Sequence, residues 1–214
     1  MKTVAVIPAY NEEKTIADVI KNLKKYVDEI IVVDDASNDK TYEVASLATA
    51  KVIKHTKNRG YDKTIEDGFN EAIKAKSSII ITFDADGQHL AEEIPKITEP
   101  LIKKEADIVV GIRAKKQRFS EKIFSRYSKK KIGVSDPLCG LKGYSVKEYK
   151  KIGYFDSLNS IGTELLFNYH KHGFKIKEVK INSNLRNGKS RFGNAIQSNI
   201  KILIAFYKVR AKFR

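Results

Sequence analysis

Residues 79–89 read IIITFDADGQH, and this stretch decides the fold of the chain. A nearly continuous apolar run ends at Phe83 and is followed by two carboxylates, Asp84 and Asp86. Such a run predicts a parallel strand that is buried on both faces. Open α/β sheets bind ligands at the carboxyl ends of their strands, and side-chain alternation places both carboxylates on one side. There they can share a hard divalent cation, although an isolated Asp-x-Asp is more often a solvated acidic turn.

The first 112 residues alternate strand and helix patterns five times. Strands are predicted at residues 3–7, 29–33, 51–54, 77–83 and 107–111, with helical periodicity between them and Pro8 ending the first strand. Alternation with short connections predicts a doubly wound, mostly parallel α/β sheet of Rossmann-like type. Three strands end in polar or acidic clusters, at residues 8–12, 34–37 and 84–88. We expect these clusters to line one cleft.

The second half of the chain has a different pattern. Residues 136–144 are punctuated by glycine and predict a loop that leads into an edge strand, followed by a helix at 161–172 and a strand at 174–182. A basic amphipathic helix is predicted from residue 194 to the end, with one apolar face: Ile196, Ile200, Leu203, Ile204 and Tyr207. The length of 214 residues predicts a single domain.

Charge is distributed unevenly along the chain. The net charge of +15 divides into −4 for residues 1–112 and +19 for residues 113–214, and residues 115–131 alone contain eight basic side chains. This imbalance predicts that the second half faces an anionic partner, for which nucleic acid, a phospholipid surface or a phosphorylated substrate all qualify.

Composition and missing motifs narrow the class of protein. Cys139 is the only cysteine, so an intrachain disulfide is excluded and a reducing compartment is expected. We find no signal-peptide pattern and no apolar window of 18 residues, and we therefore expect a cytoplasmic protein. No G-x-G-x-x-G follows the first strand. The sequence Gly188-Lys189-Ser190 is not a P-loop, because Ser183 occupies the position of the required glycine.

Several spaced motifs together resemble a known family. They are PAYNE at residues 8–12, VDDASNDKT at 33–41, DADGQH at 84–89, GIR at 111–113, CGLK at 139–142 and GKSR at 188–191. This series resembles the family-2 inverting glycosyltransferases of the GT-A fold, in particular the dolichol-phosphate and polyprenyl-phosphate mannosyl- and glucosyltransferases. The resemblance covers nearly the whole chain. It implies a nucleotide-sugar-binding half at residues 1–112 and an acceptor- and membrane-facing half at residues 113–214.

The resemblance also implies roles for individual residues. Catalytic roles fall to Asp84, Asp86 and Arg113, and Mg²⁺ or Mn²⁺ is expected on Asp86 and Gln88, since hard cations prefer oxygen ligands. The nucleotide sugar is expected to contact Pro8, Ala9, Tyr10, Glu12, Asp35, Asp84, Arg113 and Arg191. The two arginines would stabilise phosphate charge, with ordinary surface salt bridges as the alternative. Candidates for contact with the acceptor are Asp136, Lys142, Glu164 and Ser190.

The expected reaction moves a hexose, mannose or glucose, from GDP-mannose or UDP-glucose to a polyprenyl (dolichyl) phosphate, with inversion at the anomeric carbon. A lipid phosphate is ionised near neutral pH and attacks without a protein base. A saccharide or protein hydroxyl is the alternative acceptor and needs a carboxylate base, for which Asp136 and Glu164 are the candidates. The basic half is expected to hold the protein peripherally on the anionic cytoplasmic face of a membrane. A membrane-anchoring partner is a further candidate.

Two further points qualify the resemblance. After Asn58-Arg59-Gly60 the family usually has a second glycine and small residues, whereas Tyr61-Asp62-Lys63 follow here, which affects the expected choice of donor base. A nucleic-acid-binding module is the competing hypothesis from another class. It lacks an RNP, KH or helix-turn-helix signature, so we expect no nucleic-acid partner.

Overall fold

A computed structural model describes residues 1–48, 50–114, 118–184 and 195–214. Within these ranges the chain forms one seven-stranded sheet, with strands in the order β3-β2-β1-β4-β6-β5-β7. The strands are β1 (Thr3–Ala9), β2 (Glu29–Asp34), β3 (Lys51–Lys54), β4 (Ile79–Thr82), β5 (Ile108–Arg113), β6 (Lys142–Ser145) and β7 (Ile176–Ile181). All neighbouring strands are parallel except that β6 is antiparallel to both β4 and β5.

Helices cover both faces of this sheet. They are α1 (Ile16–Leu23), α2 (Thr41–Leu47), α3 (Tyr61–Lys74), α4 (Ile94–Ile102), α5 (Phe119–Ile132), α6 (Val146–Ile152), α7 (Thr163–Lys171) and α8 (Ala195–Lys212). Side chains alternate along β1, so that Val4 and Val6 belong to one apolar core and Ala5 and Ile7 to the other. The central strands are therefore apolar throughout because both of their faces are buried.

The mostly parallel sheet with helices on both faces confirms the doubly wound α/β architecture predicted from the sequence. The five strands of the first half lie close to their predicted bounds, and β1 extends two residues further than expected. Pro8 does not end this strand, because it pairs with Val33 of β2. Its missing N–H faces the side of β4, which has already ended at Thr82, so no hydrogen bond of the sheet is lost there.

The predicted edge strand is an interior strand instead. Tyr144 of β6 pairs with Ile80 on one side and with Ile108 on the other. A Cβ on Gly143 would lie 2.6 Å from Ile97 Cγ2, so glycine lets α4 pack directly against the sheet. A strand of four residues with glycine at its second position carries no periodicity that could have revealed its central place.

Helix α8 has two apolar faces rather than one. One face packs against the body of the protein and buries Ile202, Ala205, Phe206 and Val209. The other face is the predicted one, and apart from the half-buried Leu203 it is largely exposed: Ile196 (71%), Ile200 (51%), Ile204 (50%) and Tyr207 (62%). Ser120 at the start of α5 is bound to Asn199 of α8, which brings the exposed Phe119 to the same region. We call Phe119, Ile196, Ile200, Ile204 and Tyr207 the outer stripe.

Candidate active site

The carboxyl ends of β1, β4 and β5 open onto a cleft of about 780 Å³. The structure brings nine of the predicted site residues to its walls: Pro8, Ala9, Tyr10, Glu12, Asp35, Asp84, Asp86, Gln88 and Arg113. Asp136, Lys142 and Glu164 do not line this cleft. Arg191 and Ser190 lie outside the residues that the structure describes.

Asp84 lies just beyond the end of β4 and is held by its neighbours. One of its carboxylate oxygens lies 3.1 Å from His89 Nε2, and its side chain is 31% exposed to the cleft. Burial raises the pKa of Asp84, but the bond with His89 and the positive charges of Arg113 and Lys142 outweigh burial and hold the pKa below its ordinary value. Asp84 is therefore a fixed negative charge in the cleft.

Gly140 makes room for this carboxylate. A Cβ at this position would lie 2.0 Å from Asp84 Oδ2, closer than any side chain can approach. The Gly140 carbonyl also accepts a hydrogen bond from Thr82 Oγ1 at 2.7 Å, which ties the 139–142 segment to the last residue of β4. The CGLK motif thus forms the support on which Asp84 rests.

Asp86 and Gln88 occupy the turn that follows Asp84. Gly87 has a φ of +72°, and the backbone N–H of Gln88 donates to Asp86 Oδ1 at 3.1 Å. The turn thereby presents the side chains of Asp86 and Gln88 to the cleft. Within the described ranges no three His, Cys, Asp or Glu side chains converge as a metal site. Carboxylate and amide oxygens suit Mg²⁺ or Mn²⁺, and a partial ligand set leaves positions for phosphate oxygens. The residues present therefore fit a cation that is shared with a diphosphate.

Asp35 is buried and already has three partners. Oδ1 lies 2.8 Å from His55 Nδ1 and accepts the Arg59 amide at 2.7 Å, while Oδ2 accepts the Gly60 amide at 2.9 Å. The carboxylate thereby fastens the turn at residues 58–60 to the end of β2. Asp35 lies in the cleft wall where it was predicted, and its partners show that it also builds this wall.

Arg113 at the end of β5 is held by a bidentate salt bridge with Asp136. Its Nε and Nη2 donate to the two oxygens of Asp136 at 2.9 Å each, and Nη2 also reaches Glu121 at 3.2 Å. Burial lowers the pKa of Arg113, but the bonds with Asp136 outweigh burial and raise the pKa above its ordinary value. Arg113 is thus a permanently charged and rigidly oriented group in the cleft wall.

The remaining predicted residues are buried behind the cleft. Lys142 begins β6 and is 3% exposed, and burial lowers the pKa of its ammonium group. Burial also raises the pKa of the nearby Cys139 thiol to about 12, which keeps this thiol neutral. Glu164 is fully buried and bound to Ser157, Tyr154 and Lys212.

A second group of cleft residues belongs to no motif that the sequence displays. Arg118, Lys201 and Lys208 line the cleft together with Ile161 and Ile204. The basic charge of the second half indicated cations in this region, but no motif identified which of them face the cleft. The cleft is therefore acidic where the strands of the first half end and basic with apolar neighbours where α8 passes.

A GT-A glycosyltransferase has this combination of a mostly parallel sheet and an acidic cleft at its strand ends. The family description "Glycosyl transferase family 2" matches residues 4–178, and the chain belongs to this family. It is therefore a glycosyltransferase.

Similar sequences are found in archaea. An uncharacterized protein of Methanocaldococcus jannaschii, MJ1222, is 35% identical over 215 residues, which cover 92% of this chain and 88% of that protein. A UDP-N-acetylglucosamine–dolichyl-phosphate N-acetylglucosaminyltransferase of Methanococcus voltae is 38% identical over 51% of this chain and 51% of its own length. A dolichol-phosphate mannosyltransferase of Pyrococcus furiosus is 37% identical over 53% of this chain and 33% of its own length. The matches thus cover about half of the first of these two named relatives and a third of the second.

Solved structures share the fold. Glucosyl-3-phosphoglycerate synthase from Mycobacterium tuberculosis, in complex with Mn²⁺, uridine diphosphate and glucosyl-3-phosphoglycerate, superposes with a TM-score of 0.79. The superposition covers 97% of this chain and 79% of that one at 18% sequence identity, so the likeness concerns the fold.

Proposed function

We propose that this chain transfers a hexose from a nucleoside diphosphate sugar to a polyprenyl phosphate at a membrane surface, inverting the anomeric centre. The observation that carries this proposal is the polarity of the cleft. Asp84 and Asp86 lie among its acidic residues, and Lys201 and Lys208 among its basic ones, next to an exposed apolar helix face. We assign donor binding to residues 1–112 and acceptor and membrane contact to residues 113–214, within one domain.

The donor would lie along the ends of β1, β2 and β4, against Tyr10, Glu12 and Asp35. Asp86 and Gln88 would hold Mg²⁺ or Mn²⁺ there, and the cation supplies positive charge that neutralises the diphosphate leaving group. Arg113, oriented by Asp136, would add a fixed hydrogen-bond donor for phosphate. Both GDP-mannose and UDP-glucose suit this arrangement as donors.

In the proposed reaction, an oxygen of the lipid phosphate forms a bond with the anomeric carbon while the bond to the nucleoside diphosphate breaks. The phosphate is already ionised near neutral pH, so no protein base has to remove a proton. A hydroxyl acceptor would require such a base. Asp136 is bound to Arg113, and Glu164 is bound to Lys212 and Ser157, and neither lines the cleft. The two carboxylates that the sequence offered for this role are thus engaged elsewhere, and the basic side of the cleft at Lys201 and Lys208 favours a lipid phosphate as acceptor.

Membrane contact is proposed for the face that carries the outer stripe. No helix in the described ranges is both long and apolar enough to cross a bilayer. The outer stripe adjoins exposed basic residues of α5 and α8, such as Lys122, Arg126 and Arg210. Each basic residue near an anionic surface adds about 1 kcal/mol of binding free energy. We propose that this face rests on the cytoplasmic side of a membrane, with a membrane-anchoring partner as an addition that the lipid-binding experiments below can test.

The reaction is tested with radiolabelled GDP-mannose and UDP-glucose, each with polyprenyl phosphate or with a saccharide acceptor. Transfer to polyprenyl phosphate gives a label that is extracted into organic solvent, and we expect this product with one of the two donors. A label that appears only in water-soluble saccharide would favour the hydroxyl acceptor, and no transfer to either acceptor would contradict the proposal.

The metal site is tested with Asp86→Ala. We expect Mn²⁺ to raise the melting temperature of the wild type in the presence of the donor and to leave the melting temperature of the variant unchanged, because a ligand that binds only the folded state stabilises it. Glu92→Ala, an exposed acid elsewhere on the same connection, serves as the matched control and should respond as the wild type does. If Asp86→Ala kept its turnover and its response to Mn²⁺, the assignment of the metal site would be wrong.

A further inference from the structure

Residues 156–162 form the second part of the connection between α6 and α7. Two of them, Asn159 and Ile161, belong to the cleft wall. The backbone of this loop is strained. Asn159, Ile161 and Gly162 all have positive φ angles, of 54°, 60° and 67°, and a β-branched residue such as Ile161 rarely adopts such an angle. A conformation of this kind persists only where the surroundings enforce it.

Three carboxylates enforce this backbone conformation by accepting hydrogen bonds from the backbone amides of the loop. Asp156 accepts those of Leu158 and Ser160 at 2.9 and 3.0 Å. Glu164 accepts those of Ser157 and Leu158 at 2.5 and 3.1 Å.

The third carboxylate, Asp62, belongs to the first turn of α3, about 100 residues away in the chain. It accepts hydrogen bonds from the backbone amides of Ile161 at 3.1 Å and Gly162 at 2.8 Å. Asp62 is 7% exposed and its two oxygens are bound by these backbone amides, while the charge of Lys142 acts on it from further away. A carboxyl group buried in this way is costly for stability, which indicates that it is retained for another purpose.

The opposite side of the loop contacts α8. Lys208 Nζ donates to the Leu158 carbonyl at 2.9 Å, and Lys212 is bound to Glu164. The loop is therefore held between α3, which adjoins the proposed donor site, and α8, which carries the outer stripe. Its two cleft residues lie beside Lys208, on the basic side of the cleft.

We propose that Asp62 is a positioning residue, which holds the loop of residues 156–162 in the shape that the lipid phosphate acceptor requires. This proposal rests on the proposed function of the same cleft. It also gives a role to one of the residues at which the sequence departs from the family pattern, since Asp62 occupies the stretch where small residues are usual. Asp62 also lines the cleft, but in this role it acts through the backbone amides of Ile161 and Gly162 and not on the substrate itself.

The test is the effect of Asp62→Asn on the two substrates separately. The carboxamide has one acceptor oxygen in place of two, so one of the two loop amides loses its partner. We expect the KM for polyprenyl phosphate to rise by about tenfold, the size expected for one lost hydrogen bond to a charged group. The dissociation constant of the nucleotide sugar with Mn²⁺ should change less than about twofold. Hydrogen exchange at Ile161 and Gly162 should become faster.

Two further variants make the outcome decisive. Asp107→Asn is the matched control, because Asp107 also accepts a hydrogen bond from a distant backbone amide, that of Lys175 at 2.8 Å. Asp107 precedes the amino end of β5, whereas the cleft lies at the carboxyl ends of the strands. It should leave both substrate constants unchanged. Asp62→Glu keeps a carboxylate that can reach the loop and should recover part of the acceptor KM. If Asp62→Asn fails to fold, Asp62→Glu carries the same test through a smaller rise in the acceptor KM alone.

The possible outcomes separate this proposal from the function on which it rests. An unchanged acceptor KM, or equal losses for donor and acceptor, would overturn the role of Asp62. A wild-type chain that transfers nothing to polyprenyl phosphate would overturn the proposed acceptor instead.

Discussion

At the scale of single residues, Gly140 is the position in the site that has the least room for a side chain. The van der Waals surface of Asp84 occupies the space that a side chain would need. Gly140→Ala must therefore displace either Asp84 or the 139–142 segment. We expect kcat to fall by about 100-fold, the effect of a misplacement of roughly 1 Å in an active site. The free energy of unfolding should fall by about 1–3 kcal/mol.

Gly153→Ala is the control for this substitution. Gly153 has a φ of +84° and nothing near its absent Cβ, so alanine should cost about 1 kcal/mol of stability through backbone strain and leave kcat unchanged. Steady-state kinetics and urea unfolding measure the two effects. Equal losses of activity in both variants would show that Gly140 matters for stability only.

Asp62 should also make stability depend on pH. Burial and the charge of Asp156 outweigh the two backbone amides and raise the pKa of Asp62 from 3.8 to about 7. Between about pH 4 and pH 7 the folded state therefore holds a proton that the unfolded state has released, so this residue's contribution to stability falls as pH rises.

The measurement compares urea unfolding of the wild type and Asp62→Asn across this range. The difference in unfolding free energy between wild type and variant should decrease from pH 4 to pH 7, because asparagine does not titrate. The comparison cancels the titration of carboxylates that do not contact Asp62 or its loop, such as Glu71 and Glu105. A difference that stays constant over the range would contradict the raised pKa.

At the scale of elements, α8 has two separate tasks. One face completes the core with Ile202 and Phe206, and the other exposes the outer stripe. The double variant Ile200→Glu/Ile204→Glu changes only half-exposed positions, so its folding should be preserved. We expect its affinity for anionic vesicles to fall by at least about tenfold, because two apolar side chains are lost from the interface and two negative charges are added.

Leu47→Glu is the matched control for α8. Leu47 is an 84% exposed leucine at the end of α2, outside the outer stripe. It should reduce vesicle co-sedimentation only by the effect of one added charge. If Leu47→Glu and the α8 variant bound vesicles equally well, α8 would not be the membrane-facing element.

At the scale of the whole molecule, the charge of +19 on residues 113–214 should make membrane binding strongly dependent on salt. Screening shortens the range of surface charges from about 10 Å at 0.1 M salt to about 3 Å at 1 M. We expect co-sedimentation with anionic vesicles to weaken steeply over this interval, and binding to zwitterionic vesicles to be weak throughout. Equal binding to both vesicle types would indicate that the outer stripe, or a partner protein, provides the attachment instead of charge.

The sequence alone determined the mostly parallel sheet and the place of its acidic strand ends. Apolar runs, their spacing and the residues that end them are local patterns, and in an α/β protein such patterns largely set the topology. Nine predicted site residues accordingly line one cleft.

Only the tertiary structure decided the interior place of β6, the hydrogen bonds between Asp62 and the loop of residues 156–162, and the face that α8 exposes. Each of these depends on contacts between residues far apart in the chain, such as Tyr144 with Ile108 or Asp62 with Gly162. A glycine-containing strand of four residues and a lone aspartate at the start of a helix look alike in sequence whether or not such partners exist. Their roles become visible when packing brings the partners together.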